Sequence, residues 1–392
     1  MLSERVNAIH ASPTLALTAR VAELRRNGAD VIAFGVGEPD FPTPEPIGQA
    51  GIQAIRDGHT RYTPSAGTMT LRKAVAEKLL RENKVRYDPH EVVISCGAKH
   101  AMFNALLALC NPGDEVLLPC PYWPTYVEQV RLCGAVPVEV PCHEEDGYLP
   151  SYDALRQRVS YRTKAIIVNT PNNPTGAVWP RTVLKEIAAI ALKHDCWIIA
   201  DEIYERLVYE NEEHVSIASL SRQVWERTVT VGGVSKTYAM TGWRIGYAAA
   251  PREVAEAMSK LQDQMTSNPS SISMRAAEAA VAMPVEDLEH MREEYAERRE
   301  ILYHGLTECP GVNCQRTKGA FFLFPSVHGV LGGCFGSTVE LAEYLLDQAG
   351  CAVLPGEAFG APGHLRLSYA LSKQDIQRGV RRLKEAFAML SP

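Results

Sequence analysis

The residue of this sequence that is best suited to chemistry is Lys236, in the segment VGGVSKTYAMTGWRIGY. Lysine is a poor core residue, so a lysine among small and apolar side chains usually either pairs with a carboxylate or is kept unprotonated for a reaction. Ser235 precedes it, and Arg244 follows within the same segment. The segment alone does not distinguish a structural lysine from a reactive one.

Other polar residues stand directly after apolar, β-rich runs. Gly97, Ala98 and Lys99 follow EVVISC and open a helical pattern. A glycine before a helix start offers free backbone N–H groups and the positive end of the helix dipole, which suit a phosphate. Asp201 follows CWIIA, and Tyr204 comes soon after it. A carboxylate at the end of a buried strand needs a cation or N–H partner.

These residue types together match the requirements of pyridoxal phosphate (PLP). That cofactor needs a Schiff-base lysine, a phosphate site and an acid that keeps its pyridine nitrogen protonated. Lys236, the helix start after Gly97 with Ser235 and Arg244 nearby, and Asp201 would supply the three. The asparagine-rich turn PNNPTG after AIIVNT adds neutral side-chain donors. The sequence therefore predicts a PLP site.

The elements that must position these residues alternate between strand and helix. The strand patterns are EVVISC, DEVLLPCP, AVPVEVP, KAIIVNTP, CWIIADEIY, TVTVGG and WRIGYAAAP. Such alternation with unbroken apolar strands predicts an α/β fold around a largely parallel sheet that is buried on both faces. Ligands of such sheets bind beyond the carboxyl ends of the strands. The polar residues named above occupy that position.

The pattern changes from about residue 285. A long charged helical segment, VEDLEHMREEYAERREILYHGL, precedes the strand patterns AFFLFPSV and HLRLSYA and a terminal amphipathic helix, KQDIQRGVRRLKEAFAML. This order predicts a smaller α+β domain. The segment GVLGGCFGS opens no strand–helix phosphate unit, so we expect a flexible loop there.

Composition limits the other function classes. The 392 residues are 46% hydrophobic and 22% charged, with a net charge of −6, which argues against nucleic acid or an anionic membrane as the main partner. No apolar run reaches the length of a membrane span, and the N-terminus lacks a signal-peptide core. The ten cysteines form no CxxC pair and the eleven histidines no HExxH, so we expect reduced thiols in a cytoplasmic protein and no metal, with a zinc site as the disfavoured alternative.

The motifs, in order, identify the sequence as a member of a known family. GVGEPDFPTP, YTPSAGTMTLRKAVAEKL, NTPNNPTGAV, DEIYE, SKTYAMTGWRIGY and GHLRLSYA follow the order of the class I/II, fold-type I PLP-dependent aminotransferases. The sequence is most similar to the bacterial aspartate aminotransferases over nearly its whole length. The resemblance implies a homodimer with active sites at the subunit interface. It also implies a large three-layer PLP-binding domain, residues 45–285, and a small α+β domain built from both termini, residues 1–44 and 286–392.

The resemblance also implies a role for each matching residue. Lys236 would hold PLP and shuttle the proton at the substrate Cα, and Asp201 would stabilise the pyridinium. Tyr204 and Asn173 would donate to the phenolic oxygen of the cofactor, and Trp123 would stack on its ring. The phosphate would be bound by the backbone N–H groups of Ala98 and Lys99, by Ser235 and Arg244, and by Tyr62 of the partner subunit.

The substrates implied are amino acids and 2-oxo acids. Arg366, in HLRLSYA, would bind the α-carboxylate through two parallel hydrogen bonds, together with the backbone of Gly37. The arginine that binds the distal carboxylate in the animal and enterobacterial branch is missing from LQDQMTSNPS. In the other bacterial branch this charge comes from a lysine that matches Lys99, and Ser12 and Thr14 would assist it. A lysine in a first helical turn is otherwise mildly unfavourable, by roughly 0.3–1 kcal/mol.

The resulting hypothesis is a ping-pong transamination that converts L-aspartate and 2-oxoglutarate to oxaloacetate and L-glutamate. Aromatic amino acids, prephenate or alanine are the alternative substrates for the same chemistry. A second alternative is an aminotransferase-like domain of a transcriptional regulator. Such proteins carry an N-terminal helix-turn-helix domain, whereas this sequence begins almost directly with the aminotransferase N-terminal segment. Taken singly, Asp201 would be a helix cap and Trp123 a core aromatic.

Overall fold

The structure is a computed structural model that describes residues 2–210, 212–332 and 335–390, so the predicted flexible loop GVLGGCFGS lies partly outside the described residues, at 333 and 334. The strands are β1 (Ile32–Ala33), β2 (Val92–Ser95), β3 (Glu115–Cys120), β4 (Val136–Pro141), β5 (Thr163–Asn169), β6 (Trp197–Asp201), β7 (Thr228–Gly233), β8 (Gly246–Ala249), β9 (Phe322–Leu323), β10 (Cys351–Ala352), β11 (Leu354–Pro355) and β12 (Leu365–Ser368). The helices are α1 (Glu4–Asn7), α2 (Pro13–Arg26), α3 (Glu45–Arg56), α4 (Met69–Lys78), α5 (Ala98–Leu109), α6 (Thr125–Leu132), α7 (Tyr152–Arg158), α8 (Arg181–Lys193), α9 (Arg222–Trp225), α10 (Arg252–Met265), α11 (Ser271–Ala282), α12 (Glu289–Thr307), α13 (Thr338–Ala349) and α14 (Lys373–Ala388).

The centre of the molecule is a seven-stranded sheet in the order β2-β8-β7-β6-β5-β3-β4. The pairs β3–β4, β3–β5, β5–β6 and β6–β7 are parallel. Strand β8 runs antiparallel to both of its neighbours, β2 and β7. The seven apolar runs of the sequence correspond to these seven strands, and the prediction of a largely parallel sheet is confirmed.

Alternate residues of each strand pack on opposite faces of the sheet. In β5, Ala165 and Ile167 join the apolar cluster that also contains residues of α5, α6 and α10. Ile166 and Val168 join the cluster on the other face, with residues of α7 and α8. Because side chains of a strand point to opposite faces in turn, an apolar run of this kind buries both faces. The result is the three-layer arrangement that the sequence predicts.

The C-terminal part of the chain forms a second, smaller group of elements. Strands β11, β12 and β9 make an antiparallel sheet, and α12, α13 and α14 contribute to the apolar cluster around it. Strand β1 pairs in parallel with β10, which joins the N-terminal segment to this part of the chain. The α/β fold class is confirmed, while the boundaries after residues 44 and 285 remain predictions.

The predicted charged helix differs in its first turn. Residues Val285–Leu288 form a 3₁₀ turn after Pro284, and the α-helix begins at Glu289. Short 3₁₀ turns are frequent at helix N-termini. In the described part of the chain, no helix combines the length and apolarity that a membrane crossing requires. The described cysteines are free thiols, and eight of those nine are buried.

A largely buried ionic cluster lies next to the carboxyl end of β6 and consists of Lys78, Asn83, Glu202, Glu205 and His214. Lys78 Nζ donates to Asn83 Oδ1 at 2.9 Å and also contacts Glu205, while Asn83 Nδ2 donates to Glu202 and Glu205 at 3.0 and 2.6 Å. His214 Nε2 lies 3.3 Å from Glu202 Oε2. Burial by itself would raise the pKa of Glu205. The Lys78 ammonium and the hydrogen bonds of the cluster have a larger, opposite effect, so the net result is a lowered pKa. Glu202, Glu205 and His214 lie close enough to one another to hold a metal ion, and Lys78 and Asn83 contact the same two carboxylates.

The cluster yields a stability prediction for Lys78, which is 2% exposed. Lys78→Ala leaves Glu205, whose side chain is 10% exposed, without its closest cation, so the free energy of unfolding should fall by roughly 3–5 kcal/mol. Lys73→Ala on the same helix is the control, because the Lys73–Glu77 pair is exposed and 3.8 Å apart, and its loss should be about 0.5 kcal/mol or less. Urea denaturation of both variants measures the difference. Similar losses would contradict the prediction.

Candidate active site

A cavity of about 330 Å³ lies at the carboxyl ends of the central strands. Of the fourteen residues to which the family resemblance assigns a role, thirteen line this cavity: Ser12, Thr14, Gly37, Ala98, Lys99, Trp123, Asn173, Asp201, Tyr204, Ser235, Lys236, Arg244 and Arg366. Tyr62 is the exception, since it does not line the cavity and its side chain is 92% exposed.

The topology of the sheet explains why these residues meet. Asp201 is the last residue of β6, and Lys236 follows β7. Ala98 begins α5 directly after β2, and Asn173 follows β5. Strands β2, β5, β6 and β7 point the same way, because β2 is separated from β7 by the single antiparallel strand β8. Their carboxyl ends therefore share one edge, and Arg366 on β12 closes the cavity from the smaller sheet.

Asp201 is a buried acid whose two oxygens have different partners. The Tyr126 hydroxyl donates to Oδ2 at 2.7 Å, and the Ile203 N–H donates to Oδ1 at 3.2 Å. Burial raises the pKa of Asp201 to about 6, against the lowering effect of these two donors. Among the described residues, no cationic group lies within ion-pair distance of this carboxylate. Within residues 2–210, 212–332 and 335–390, the site therefore holds a buried acid that lacks a counter-ion.

Lys236 has the surroundings of a reactive amine. Its Nζ donates to the carbonyl of Gly37 at 2.6 Å and lies 5.7 Å from the ring centroid of Phe321. Burial lowers the pKa of Lys236 to about 8; Arg366 and Arg244 lower it further, while Glu38 opposes the shift. A larger fraction of this amine is therefore neutral near pH 7 than for an ordinary lysine, which favours nucleophilic attack on an aldehyde.

Arg366 is a buried cation with neutral partners. It is 2% exposed; Nη1 donates to Asn173 Oδ1 at 3.0 Å and Nη2 to the carbonyl of Gly35 at 2.8 Å. The guanidinium lies 4.4 Å from the ring centroid of Phe322, and burial lowers the pKa of Arg366 to about 10. Within the described ranges, no carboxylate pairs with it. A buried guanidinium in this state is suited to an anionic ligand.

The start of α5 forms a cradle with Arg244. Gly97 has φ +85°, and a Cβ at this position would lie 2.3 Å from Arg244 Nη2. A Cβ at Gly246 would lie 2.2 Å from the backbone nitrogen of Ala98. Helix α5 begins without a side-chain N-cap, so its first N–H groups are available to an anion. Arg244 itself has φ 56°, an uncommon value for a residue with a side chain.

Lys99 lies in the first turn of α5, and its side chain lines the cavity beside Trp123. Its Nζ lies 4.9 Å from the ring centroid of Trp123, and Gln129 Nε2 donates to its carbonyl at 2.8 Å. Partial burial, and then the Arg244 guanidinium, lower the pKa of Lys99. Ser12 and Thr14 line the same cavity.

The structure adds cavity residues that the sequence analysis does not name. Asn169, at the end of β5, donates from Nδ2 to the carbonyl of Asp201 at 3.1 Å and accepts from the Asn173 N–H at 2.9 Å. Its position after an apolar run could have identified it. Tyr126 and Glu38 also line the cavity. Tyr126 lies inside an amphipathic helix, where the sequence pattern indicates only core packing.

The arrangement fits PLP by shape and charge. The cradle of Gly97, Arg244 and the α5 start accommodates a phosphate, and side chains in place of its glycines would obstruct it. Asp201 is a buried acid that a protonated ring nitrogen would neutralise, and Lys236 is an amine with a lowered pKa. These are the three groups that the cofactor requires.

Comparison with known proteins shows the family of the chain. The family model for aminotransferase class I and II matches residues 29–383. The probable aspartate/prephenate aminotransferase of Aquifex aeolicus is 48% identical over 98% of both chains. The aspartate aminotransferase of Geobacillus stearothermophilus is 44% identical over 97% of this chain and 98% of its own. The solved structure of the Thermus thermophilus aspartate aminotransferase with maleate has a TM-score of 0.94 and 42% identity, covering 98% of this chain and 99% of the other. The chain therefore belongs to the class I and II aminotransferases, enzymes of fold type I that depend on pyridoxal phosphate.

Proposed function

We propose that this enzyme transfers the amino group of L-aspartate to 2-oxoglutarate, forming oxaloacetate and L-glutamate. The observation that carries the proposal is the buried Arg366 guanidinium, which has no carboxylate partner in the described part of the chain and shares its cavity with Lys99. All four substrates and products carry two carboxylates, so each can meet both cations. The names of the Aquifex and Geobacillus relatives, and the maleate in the Thermus structure, support a dicarboxylate substrate.

Each end of the substrate would have its own binding group. The α-carboxylate would bind Arg366 through two parallel hydrogen bonds, with the backbone of Gly37 beside it. The distal carboxylate would bind the Lys99 ammonium, assisted by Ser12 and Thr14. This binding would fix the substrate Cα near Lys236.

The residues of the cavity divide between the parts of the cofactor. PLP, when bound, supplies an aldehyde for covalent attachment and a ring that accepts the electron pair released at the substrate Cα. Asp201 would hold the ring nitrogen, and Trp123 would lie against the ring. Tyr204 and Asn173 would donate to the phenolic oxygen; Asn173 Oδ1 already accepts from Arg366, which leaves its amide N–H groups for this task. The phosphate would be bound by the N–H groups of Ala98 and Lys99 and the side chains of Ser235 and Arg244.

Lys236 would both attach the cofactor and move the proton. With the substrate bound, its free Nζ would take the proton from the substrate Cα. A pKa of about 8 in this cavity keeps part of the amine neutral and able to accept that proton near neutral pH. The same amine would then deliver that proton to the cofactor carbon C4′, and the reverse transfer would serve the second half-reaction of a ping-pong cycle.

A second candidate substrate is prephenate. The Aquifex relative is named an aspartate/prephenate aminotransferase. Prephenate carries a second carboxylate beyond its 2-oxo acid group, so it could also use both Arg366 and Lys99. Its ring is much larger than the side chain of aspartate, and the size of the cavity near Trp123 would then decide between the two acids.

We further propose that the enzyme acts as a cytoplasmic homodimer. Tyr62 is exposed and outside the cavity of its own chain, which supports a role in the phosphate site of a second copy. The described cysteines are unpaired, as expected for a reducing compartment.

Lys236→Ala tests the cofactor attachment. The variant should bind PLP without a covalent link and lose transamination by about 10³-fold or more, because the nucleophile and the proton carrier are removed together. Borohydride reduction of the wild-type enzyme followed by peptide mapping should place the label on Lys236. Lys99→Ala is the control and should keep the label at Lys236. A label on another lysine would refute the assignment.

Lys99→Ala tests substrate choice. If the ammonium binds the distal carboxylate, kcat/KM for aspartate, glutamate and 2-oxoglutarate should drop about 10- to 150-fold, the size of a hydrogen bond to a charged group. Half-reactions with alanine or phenylalanine should change much less. Arg366→Lys is the matched comparison and should weaken acidic and neutral substrates alike. Measurement of the same variants with prephenate as the amino acceptor compares the two candidate functions. An equal loss of activity on all substrates in Lys99→Ala would contradict the role of Lys99.

Tyr62→Phe tests the shared site. Removal of the hydroxyl should raise the dissociation constant for PLP about tenfold or more, if it donates to the phosphate of a second copy. Tyr161→Phe is the control, because Tyr161 is 96% exposed and lies outside the cavity. Analytical ultracentrifugation should give twice the chain mass of 43.1 kDa. A monomer with full PLP affinity would rule out the shared site.

A further inference from the structure

Tyr126 is a buried residue of the cavity for which the proposed function has no role. It is 2% exposed and lies in the first turn of α6, three residues after Trp123. Its hydroxyl donates to Asp201 Oδ2 at 2.7 Å, the shorter of the two hydrogen bonds to this carboxylate. Its ring packs edge-on against Trp123, with 5.4 Å between the ring centroids. The hydroxyl is therefore held in a fixed position against the acid.

We propose that Tyr126 is a positioning residue for transamination: its hydroxyl keeps the Asp201 carboxylate ionised and correctly oriented, so that the proton of the pair stays on the cofactor's ring nitrogen. The proposal rests on the assignment of Asp201 to that nitrogen in the proposed function. An ionised carboxylate stabilises the protonated ring nitrogen, and this protonation makes the ring an effective electron acceptor.

The surroundings of Asp201 explain why a donor is needed there. The carboxylate is 3% exposed, and burial favours its protonated form. The neighbouring Glu202 adds a second negative charge, which raises the pKa of Asp201 further. Tyr204 lies on the same loop as Glu202. Lys236, after β7, is the cation whose charge favours the ionised form, but it makes no ion pair with Asp201. Direct stabilisation of the charge thus depends on two donors, the Ile203 N–H and the Tyr126 hydroxyl.

Toward the ionised Asp201 carboxylate, Tyr126 acts as a hydrogen-bond donor. Burial, and then the Asp201 charge, raise the pKa of its phenol well above the usual range, so the phenol stays protonated in the working range of pH. An ionised carboxylate only accepts hydrogen bonds, so a protonated phenol that faces it donates and stabilises the negative charge. Because Trp123 and Tyr126 belong to the same helix start, one element would position both the ring-stacking residue and the acid's donor.

The chain provides a matched control four residues earlier. The Tyr122 hydroxyl donates to Glu139 Oε1 at 2.6 Å, which is the same kind of bond to a carboxylate, and Tyr122 is 8% exposed. Tyr122 does not line the cavity and does not contact Asp201. Tyr122→Phe therefore removes an equivalent hydrogen bond without touching the acid.

The experiment compares Tyr126→Phe, Tyr122→Phe and wild-type enzyme as full-length chains. Infrared spectra of each enzyme are recorded over a range of pH before PLP is added. Subtraction of the spectra of Asp201→Asn isolates the absorption of the Asp201 carboxyl group, so that its protonation can be followed. In Tyr126→Phe its acid dissociation constant should fall about 10- to 100-fold, the size of a hydrogen bond to a charged group, and Tyr122→Phe should match wild type. With PLP bound, Tyr126→Phe should lower kcat about 10- to 100-fold at nearly unchanged KM for aspartate, because Arg366 and Lys99 are intact.

The outcomes separate this proposal from the proposed function. An unchanged Asp201 titration, or kinetic losses in Tyr126→Phe no larger than in Tyr122→Phe, would overturn the role of Tyr126. Normal turnover in Asp201→Asn would instead overturn the role of Asp201 in the proposed function, and the Tyr126 proposal would fall with it. A shifted titration together with a loss in kcat alone would support both.

Discussion

The site depends on two buried charges, the Asp201 carboxylate and the Arg366 guanidinium, neither of which forms an ion pair within the part of the chain that the structure describes. A buried charge of this kind is unfavourable unless hydrogen bonds or a ligand compensate it. The protein provides partial compensation: Tyr126 and the Ile203 N–H donate to the acid, and Asn173 and the Gly35 carbonyl accept from the arginine. Neither set neutralises its charge. Asp201 can therefore still be stabilised by a cationic ring nitrogen, and Arg366 by an anionic substrate.

The two charges come from different sheets, and this explains why the whole fold is needed. Asp201 ends a central strand, whereas Arg366 lies on β12 of the smaller sheet, which is connected to the N-terminal segment through β1 and β10. Gly35 and Gly37 belong to that segment, and their carbonyls accept from Arg366 and Lys236. The N-terminal segment thus connects the substrate-binding arginine with the lysine that would act on the substrate.

The sequence predicts those parts of the site that follow strand ends. Asp201, Lys236 and the Gly97 helix start each interrupt or end an apolar run, so their unusual chemistry is visible in the pattern. Tyr126 is not visible, because an aromatic residue in an amphipathic helix has the pattern of ordinary core packing. The 3₁₀ turn before Glu289 and the π-helical turn Leu79–Asn83 also escape prediction, since each depends on local hydrogen bonds rather than on periodicity. The roles of the individual residues rest on the family pattern and on the geometry together.

The ionic cluster next to the carboxyl end of β6 also affects the charge of the active-site acid. Glu202 directly follows Asp201 but is directed away from the cavity, into the cluster with Asn83 and His214. Its negative charge raises the pKa of Asp201, so any group that offsets the charge of Glu202 also favours the ionised form of Asp201. Asn83 donates to Glu202, and Lys78 holds Asn83 in place from the end of α4. Lys78 and Asn83 would therefore affect the active-site acid through Glu202 without contacting it, which gives this buried cluster a role in the electrostatics of the site as well as in stability.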